Sequence, residues 1–225
     1  MSERKNSNEP KKIDVATLMS RLEQRQTTKR TLEWKGLTVL EAAKLLWKAY
    51  QVEVRSRNRK FEPSQELRNF IMQIAEFMTS GGNSSKFGFW LNGTCGNGKT
   101  TLVKAVQDVT NLYDTKCNGK GLRIMNATDI ARMAKDDANG FSRLQDCVAL
   151  GIEDLGTEPA EIMDYGNILN PMIDLLERRY NRMLTTFVTT NLTHKEIAQR
   201  YGERIADRRK EMFYILRFTS DSYRK

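Results

Sequence analysis

The sequence predicts an α/β fold, in which a parallel five-stranded sheet is flanked by helices and preceded by a helical N-terminal extension. From residue 86 onward, short apolar runs alternate with helical stretches, which is typical of parallel sheets with crossover helices. A glycine-rich segment, residues 93–100, lies between the first apolar run and the first of these helices. Upstream, residues 14–79 carry apolar side chains at steps of three and four, as one face of a helix requires.

Composition and charge narrow the functional classes. The chain has 225 residues, of which 39% are hydrophobic and 29% charged, and this balance argues against disordered and fibrous proteins. The net charge of +9 is divided into +6 for residues 1–80, −1 for residues 81–192 and +4 for residues 193–225. Basic ends favour a polyanionic partner such as DNA, and the alternative is that the charge only keeps the protein soluble.

Cysteine and histidine offer little chemistry in this sequence. Three widely spaced cysteines and a single histidine, His194, do not form a zinc pattern, and unpaired cysteines are typical of a reducing compartment. The first fourteen residues are polar, and no run approaches the ~18 apolar residues of a membrane span. We therefore expect a cytoplasmic protein without a membrane segment.

The N-terminal part of the chain is predicted to bind a partner. Residues 1–13 are polar and basic, and we expect them to form a flexible arm. Residues 14–80 are predicted to form a helical partner-binding region. Large apolar residues outside its most regular stripe are the candidates for the binding surface: Trp34, Leu37, Leu45 and Trp47. The alternative is that these helices only pack against the rest of the chain.

Two helices are predicted within this region. Apolar residues recur at helical spacing over residues 38–54, and a second amphipathic helix is expected after Pro63, with Ser64 as its cap. The basic segment between them, residues 55–60, is interpreted as a solvated loop or helix end.

Residues 81–225 are predicted to form the α/β domain. The predicted strands cover residues 87–92, 122–125, 147–153, 184–190 and 214–218. The predicted helices lie near residues 99–112, 129–135, 167–183, 193–201 and 203–210. A helix between each pair of strands is what a parallel sheet requires.

The glycine-rich segment matches the phosphate-binding pattern G-x-x-x-x-G-K-[ST] at every fixed position. A turn of this kind points backbone N–H groups at phosphate oxygens, and the following helix presents its positive end to them. Lys99 is expected to reach the β- and γ-phosphates, and the Thr100 hydroxyl to bind Mg²⁺. The predicted cofactors are therefore ATP and Mg²⁺. The predicted nucleotide-binding residues are Gly93, Thr94, Cys95, Gly96, Asn97, Gly98, Lys99, Thr100 and Thr101.

Polar residues follow two further strands. Glu153 and Asp154 come directly after an apolar run, where one carboxylate would organise Mg²⁺ and the other would polarise the attacking water. Asn191 follows the strand predicted at residues 184–190, where it would orient water or contact the γ-phosphate. The alternative is that all three are ordinary turn residues. We expect the three strand ends to converge on one crevice.

These blocks, in this order, resemble the AAA+ ATPases of the DnaC/IstB group, which comprises bacterial helicase loaders and transposition helper ATPases. The matching segments are residues 93–100, 152–156, 189–192 and 201–208, and the ending at residues 221–224 resembles that of the loaders. The resemblance covers about residues 61–224 and implies a P-loop NTPase of the AAA+ class. It also implies that the chain has no C-terminal helical lid domain.

The resemblance also implies roles for single residues. Glu153 takes the Walker B metal position, Asp154 that of the catalytic carboxylate and Asn191 that of the sensor. Arg208 matches the arginine finger, which supplies charge to the γ-phosphate of a neighbouring subunit, and Arg224 matches the second sensor arginine. The finger implies an ATP-dependent homo-oligomer.

Other basic residues surround the predicted finger. Arg204 lies four residues before Arg208, on the same helix face, and its role stays open. Arg209 and Lys210 are interpreted as a solvated basic face.

By resemblance, the function is to hydrolyse ATP and to load a replicative helicase onto single-stranded DNA. One alternative is a transposition helper ATPase that assembles on DNA and recruits a transposase. A second is a nucleotide-binding adaptor with little hydrolysis, because Glu153 and Asp154 depart from the aspartate that the group usually has at the metal position. The same departure predicts slow turnover.

Overall fold

The structure is a computed structural model, and it describes residues 14–26, 32–80, 84–113, 121–164 and 167–219. The predicted arm, residues 1–13, and the predicted sensor Arg224 lie outside the described residues. The helices and strands before the glycine-rich loop are α1 (Val15–Gln26), α2 (Val39–Ser56), α3 (Gln65–Thr79) and β1 (Gly88–Gly93). Those between this loop and the acidic pair are α4 (Lys99–Tyr113), β2 (Arg123–Asn126), α5 (Ala127–Asp136) and α6 (Ala138–Gln145).

The second half of the chain begins with β3 (Ala149–Leu155), the strand that carries the acidic pair. It continues with β4 (Ile162–Asp164), β5 (Asn167–Leu169), α7 (Pro171–Asn181), β6 (Thr185–Thr190), α8 (His194–Tyr201), α9 (Glu203–Met212) and β7 (Tyr214–Phe218). Five strands form one sheet in the order β2-β3-β6-β1-β7, and every neighbouring pair is parallel. All five predicted strands are confirmed, and so is the predicted α/β fold.

Successive residues of the central strands enter two different cores. Phe89 and Phe187 pack with α2, α3 and α4, whereas Trp90 and Val188 pack with α5, α7, α8 and α9. This follows from the alternation of side chains along a strand, and it requires apolar residues on both faces of a sheet that helices cover. The sheet is therefore the middle layer of a three-layer structure. The helices cover its two faces, and the edge formed by the carboxyl ends of its strands is where parallel sheets place a binding site.

Helices α2 and α3 both begin at a side-chain cap, of which the sequence predicted the one at α3. The Ser64 hydroxyl accepts the N–H of Leu67, as predicted, and Thr38 forms a reciprocal capping box with Glu41 at the start of α2. Helices α2 and α3 share the core of α4 and the sheet, and they bury Leu46 and Ile74 completely. They cover one face of the α/β structure, and the partner-binding role of residues 14–80 stays a prediction.

The partner-surface interpretation is wrong for one tryptophan. Trp34 is 1% exposed, and its indole Nε1 donates a 3.2 Å hydrogen bond to Thr110 Oγ1 on α4. Trp47 is partly buried, with Arg68 over its ring, whereas Leu45 is exposed. Trp34 therefore anchors the segment before α2 to α4. The sequence around Trp34 does not show that its indole N–H has a partner in the core.

Two local elements differ from the sequence prediction. The helix predicted at residues 167–183 begins only at Pro171, because residues 167–169 pair with β4 in an antiparallel hairpin. Helix α6 was not predicted, since its Asn-Gly pair disfavours helix. The Asp137 side chain caps α6 by accepting the Gly140 N–H at 2.8 Å. Among the described residues, no helix is both long and apolar enough to span a membrane.

Candidate nucleotide-binding site

The glycine-rich loop joins β1 to α4 at the carboxyl end of the sheet. Gly96 and Gly98 have φ angles of +86° and +95°, which glycine adopts without strain. Their turns bring the chain back on itself, so that Lys99 begins α4 directly behind the loop. A helix start leaves its first N–H groups without intrahelical partners, and they are the groups that bind phosphate in such loops.

The Lys99 ammonium lies inside this loop, and the residue is 5% exposed. Its Nζ donates to the carbonyl oxygens of Gly93 and Thr94, both at 2.7 Å, and to Asn97 Oδ1 at 3.1 Å. It also donates to Asn191 Oδ1 at 3.0 Å, across 92 positions of sequence. The loop after β1 and the end of β6 therefore meet at one cation, which agrees with the expected convergence for two of the three strand ends.

The acidic pair lies in a bulge at the end of β3. Ile152 pairs with Val188 and Leu155 with Thr190, so Glu153 and Asp154 together face the single residue Thr189. Asp154 has a φ of +52°, and its N–H donates a 3.0 Å hydrogen bond to Thr189 Oγ1. In a regular strand, two consecutive carboxylates would point to opposite faces of the sheet. The bulge interrupts this alternation at Glu153 and Asp154.

The Glu153 carboxylate is partly buried at the end of β3. Its Oε1 atom is buried and has no hydrogen-bond partner among the described residues. Burial raises the pKa of the Glu153 carboxyl, although Lys104 and Arg57 partly oppose this shift. An orphaned buried carboxylate oxygen fits a metal ligand.

A magnesium ion at this place would need further oxygen ligands. The described residues contain no cluster of three or more histidine, cysteine, aspartate or glutamate side chains that could hold a metal. Mg²⁺ usually combines one or two protein ligands with water and phosphate oxygens. Thr100 and Glu153 would be the protein ligands, so the donor set fits Mg²⁺ brought in with a nucleotide.

Arg57, at the end of α2, reaches the start of α4. Its Nη1 donates to Thr101 Oγ1 at 3.1 Å, and its Nη2 pairs with Glu53 at 2.9 Å. Sequence reasoning assigned this residue to a solvated basic segment. No signal in the sequence links it to Thr101, because the contact spans 44 positions and depends on the packing of α2 against α4.

The predicted finger Arg208 lies on α9 against α7. Its Nη1 donates to Glu177 Oε1 at 3.0 Å, and its guanidinium lies 4.7 Å from the centre of the Tyr180 ring. Arg204 shares Glu177 at 3.3 Å, which agrees with their common helix face, and its side chain is 67% exposed. Among the described residues, the partners of Arg208 are thus on α7 and not in the glycine-rich loop.

The solvated interpretation of Arg209 is wrong. Arg209 is 8% exposed, and its guanidinium lies 5.2 Å from the centre of the Trp90 ring and 3.1 Å from His194 Nδ1. Burial lowers its pKa, and Arg217 lowers it further. It is buried because α9 turns this face toward the sheet, whereas Lys210 is exposed, as predicted.

Comparison with known proteins gives fold-level matches. No protein-family model matches the chain, and no curated protein matches it. The crystal structure of the DnaC helicase loader is similar with a TM-score of 0.57 at 20% identity, over 77% of this chain and 98% of that one. The crystal structure of DnaI has a TM-score of 0.54 at 18% identity, over 77% and 94%. The chain therefore shares the α/β fold of these two structures, which is of the AAA+ type.

A nucleotide-bound protein is also among the matches. The AMPPCP-bound DnaA from Aquifex aeolicus has a TM-score of 0.51 at 14% identity, over 72% of this chain and 49% of that one. The AAA+ fold therefore includes a neighbour with an ATP analogue bound. All of these sequence identities are at or below 20%, so the matches establish the fold and no more. Any function must be argued from the side chains of this chain.

Proposed function

We propose that this AAA+ protein binds ATP with Mg²⁺ and hydrolyses it. The observation that carries the proposal is the meeting of Lys99 and Asn191, which unites the phosphate loop with the end of β6. In this proposal Lys99 binds the β- and γ-phosphates and residues 93–101 cradle them. Mg²⁺, held by Thr100 and Glu153, would neutralise phosphate charge.

The remaining site residues act on the γ-phosphate. Asp154 polarises the attacking water, and Asn191 contacts the water or the γ-phosphate. Arg208 serves a neighbouring subunit as the arginine finger, and Arg224 completes the nucleotide site of its own chain. Full activity therefore requires an ATP-dependent homo-oligomer.

The biological role that this proposal favours is the loading of a replicative helicase onto single-stranded DNA, in the cytoplasm. The two loader structures supply the fold-level support for this role. Helix α1 adds a surface for a partner, since apolar side chains at helical spacing are exposed along it: Val15, Leu18, Met19 and Leu22. Basic residues at both ends of the chain supply charge for the DNA backbone.

A nucleotide-binding adaptor with little hydrolysis is the second candidate. The observation that favours it is the order Glu153-Asp154, which places the longer carboxylate at the metal position and the shorter one beside the water. Both candidates bind ATP and differ only in turnover. A transposition helper ATPase shares the same core, and it is distinguished by its partner.

Turnover and partner are tested on the full chain. Purified protein is expected to hydrolyse ATP with a rate per subunit that rises with protein concentration, and Lys99→Ala is expected to abolish ATP binding. Wild-type protein that binds ATP without turnover at any concentration would establish the adaptor. Affinity capture with Asp154→Asn and ATP is expected to retain a hexameric helicase, whereas capture of a transposase would overturn the loader role.

A further inference from the structure

A buried carboxylate links the loop after β3 to the end of α8. Glu158 is 3% exposed, although it follows an exposed turn. Its Oε2 accepts the Gly156 N–H at 2.8 Å, and its Oε1 accepts the Tyr201 hydroxyl. Arg200 pairs with the same carboxylate at 3.6 Å and also donates to the Glu158 carbonyl oxygen.

A carboxylate is buried only where its partners offset the loss of hydration. Here a backbone N–H, a hydroxyl and a guanidinium do so, and burial together with Glu158 raises the pKa of Tyr201. The Glu158–Tyr201 contact spans 43 positions, so it fixes two distant segments against each other. The hydrogen bond from the Gly156 N–H already closes the local turn, so the contact with Tyr201 serves a different purpose.

One end of this link is continuous with the proposed catalytic carboxylate. Thr157 donates to the Asp154 carbonyl oxygen through its N–H at 3.1 Å and its hydroxyl at 2.9 Å. Leu155, between them, has its carbonyl oxygen bonded by the Thr190 hydroxyl at 2.6 Å. The turn from Asp154 to Glu158 is therefore held as one unit against the end of β6.

The other end is continuous with the helix that bears the finger. Tyr201 is the last residue of α8, and Gly202, with a φ of +85°, both ends α8 and begins α9. A Cβ on Gly202 would meet nothing within 4 Å, so the glycine serves the backbone turn and not the packing. The direction of α9, and with it the place of Arg208, is set from the end of α8.

We propose that Glu158 is a positioning residue that ties the turn carrying Asp154 to α8 and so orients Arg208 for the neighbouring subunit. The inference rests on the proposed function, because it needs Arg208 to act in trans. Each subunit then presents its finger in a geometry that depends on the turn beside its own nucleotide.

The test is a mixing experiment between two inactive full-length variants. Arg208→Ala subunits keep a complete nucleotide site but lack the finger, and Asp154→Asn subunits keep the finger but lack the catalytic carboxylate. Their mixture is expected to regain ATPase activity, because the second variant donates Arg208 to the first. Donors that carry Glu158→Gln in addition to Asp154→Asn are expected to restore at least fivefold less activity.

Two controls separate orientation from general damage. Asp146→Asn, added to the donor instead, removes ion pairs to Arg178 and Arg182 on the surface, and such donors are expected to restore full activity. ATP affinity of each donor is measured alongside, and it is expected to change less than twofold for Glu158→Gln. Tyr201→Phe removes only the hydroxyl from the link, and it replaces Glu158→Gln as the donor change if that variant does not fold.

The outcomes separate the inference from the function on which it rests. If Asp154→Asn donors do not rescue Arg208→Ala subunits, the finger in trans is wrong and the inference falls with it. If they rescue, and folded Glu158→Gln or Tyr201→Phe donors rescue equally well or better, the inference alone is overturned. A loss of rescue that is matched by Asp146→Asn, or by a comparable loss of ATP affinity, also overturns it.

Discussion

The backbone N–H of Asp154 donates to the hydroxyl of Thr189, which is completely buried in β6. This hydrogen bond holds the bulge in which two consecutive carboxylates face a single residue of the neighbouring strand. A non-glycine residue at a φ of +52° is strained, and the surrounding structure must hold it there. Thr189 is therefore the residue that supports the conformation of Asp154.

Thr189→Val is expected to reduce ATP turnover more than ATP affinity. Valine keeps the volume but leaves the Asp154 N–H without its acceptor, which costs about 1–3 kcal/mol and frees the bulge. Thr110→Val is the matched control, since it removes the buried acceptor of Trp34 far from the site. Both variants should lose similar stability in urea, and only Thr189→Val should lower kcat. Equal kcat values would contradict the role of Thr189.

Arg57→Ala is expected to weaken ATP binding about fivefold, because Thr101 loses a hydrogen bond worth about 1 kcal/mol at the start of α4. Arg59→Ala is the comparison, since Arg59 is an exposed arginine of the same basic segment. Equilibrium binding of a fluorescent ATP analogue measures the difference. If both variants lose affinity equally, the effect is one of general charge and not of the contact with Thr101.

Arg179→Met is expected to destabilise the fold by about 3 kcal/mol or more, which urea unfolding would measure. The guanidinium is 0% exposed, and it donates to Thr186 Oγ1 at 2.8 Å and to the carbonyl oxygens of Cys147 and Thr185. Methionine fills much of the volume but leaves these buried acceptors without donors. Arg182→Met removes the half-exposed arginine that follows this helix as its C-cap, and it is expected to cost less than about 1 kcal/mol.

Asp146→Asn is expected to make stability less sensitive to acid. Hydrogen bonding to Arg178 lowers the pKa of the Asp146 carboxyl, and the charge of Arg182 contributes. A lowered pKa adds stability above the unfolded value near pH 4, and this stability is lost as the pH falls through the folded value. Urea unfolding should show a constant difference between wild type and variant from pH 6 to 8, narrowing below about pH 4. A difference that grows on acidification would contradict the ion pair.

Leu18→Glu with Leu22→Glu is expected to leave stability within about 0.5 kcal/mol and to abolish capture of the partner. Both side chains are exposed on α1, so their replacement removes no core contacts. Leu46→Ala on α2 is the contrast, because that side chain is 0% exposed and its truncation costs about 2–5 kcal/mol. Retained capture by the α1 variant would place the partner surface elsewhere.

The sequence predicted the elements whose signals are local. Each of the five sheet strands is a short run that contains apolar or β-branched residues, and the glycine-rich loop is a contiguous motif, so neither signal depends on distant contacts. The hairpin of β4 and β5 was missed because each of its strands has only 3 residues, and helix α6 was missed because its Asn-Gly pair disfavours helix. Asp137, which caps α6, becomes recognisable as a cap only in the folded chain.

The α/β fold, the glycine-rich loop and the polar residues that follow the strands can all be recognised from the amino-acid sequence. The long-range contacts depend on how the helices pack on the sheet: Lys99 bonds to Asn191, Arg57 to Thr101, and Tyr201 to Glu158. The tertiary structure also decided that Trp34 and Arg209 are buried. The physical reason is that strand and loop propensities act over a few neighbouring residues. Hydrogen bonds across 43 to 92 positions exist only once helices and sheet have packed.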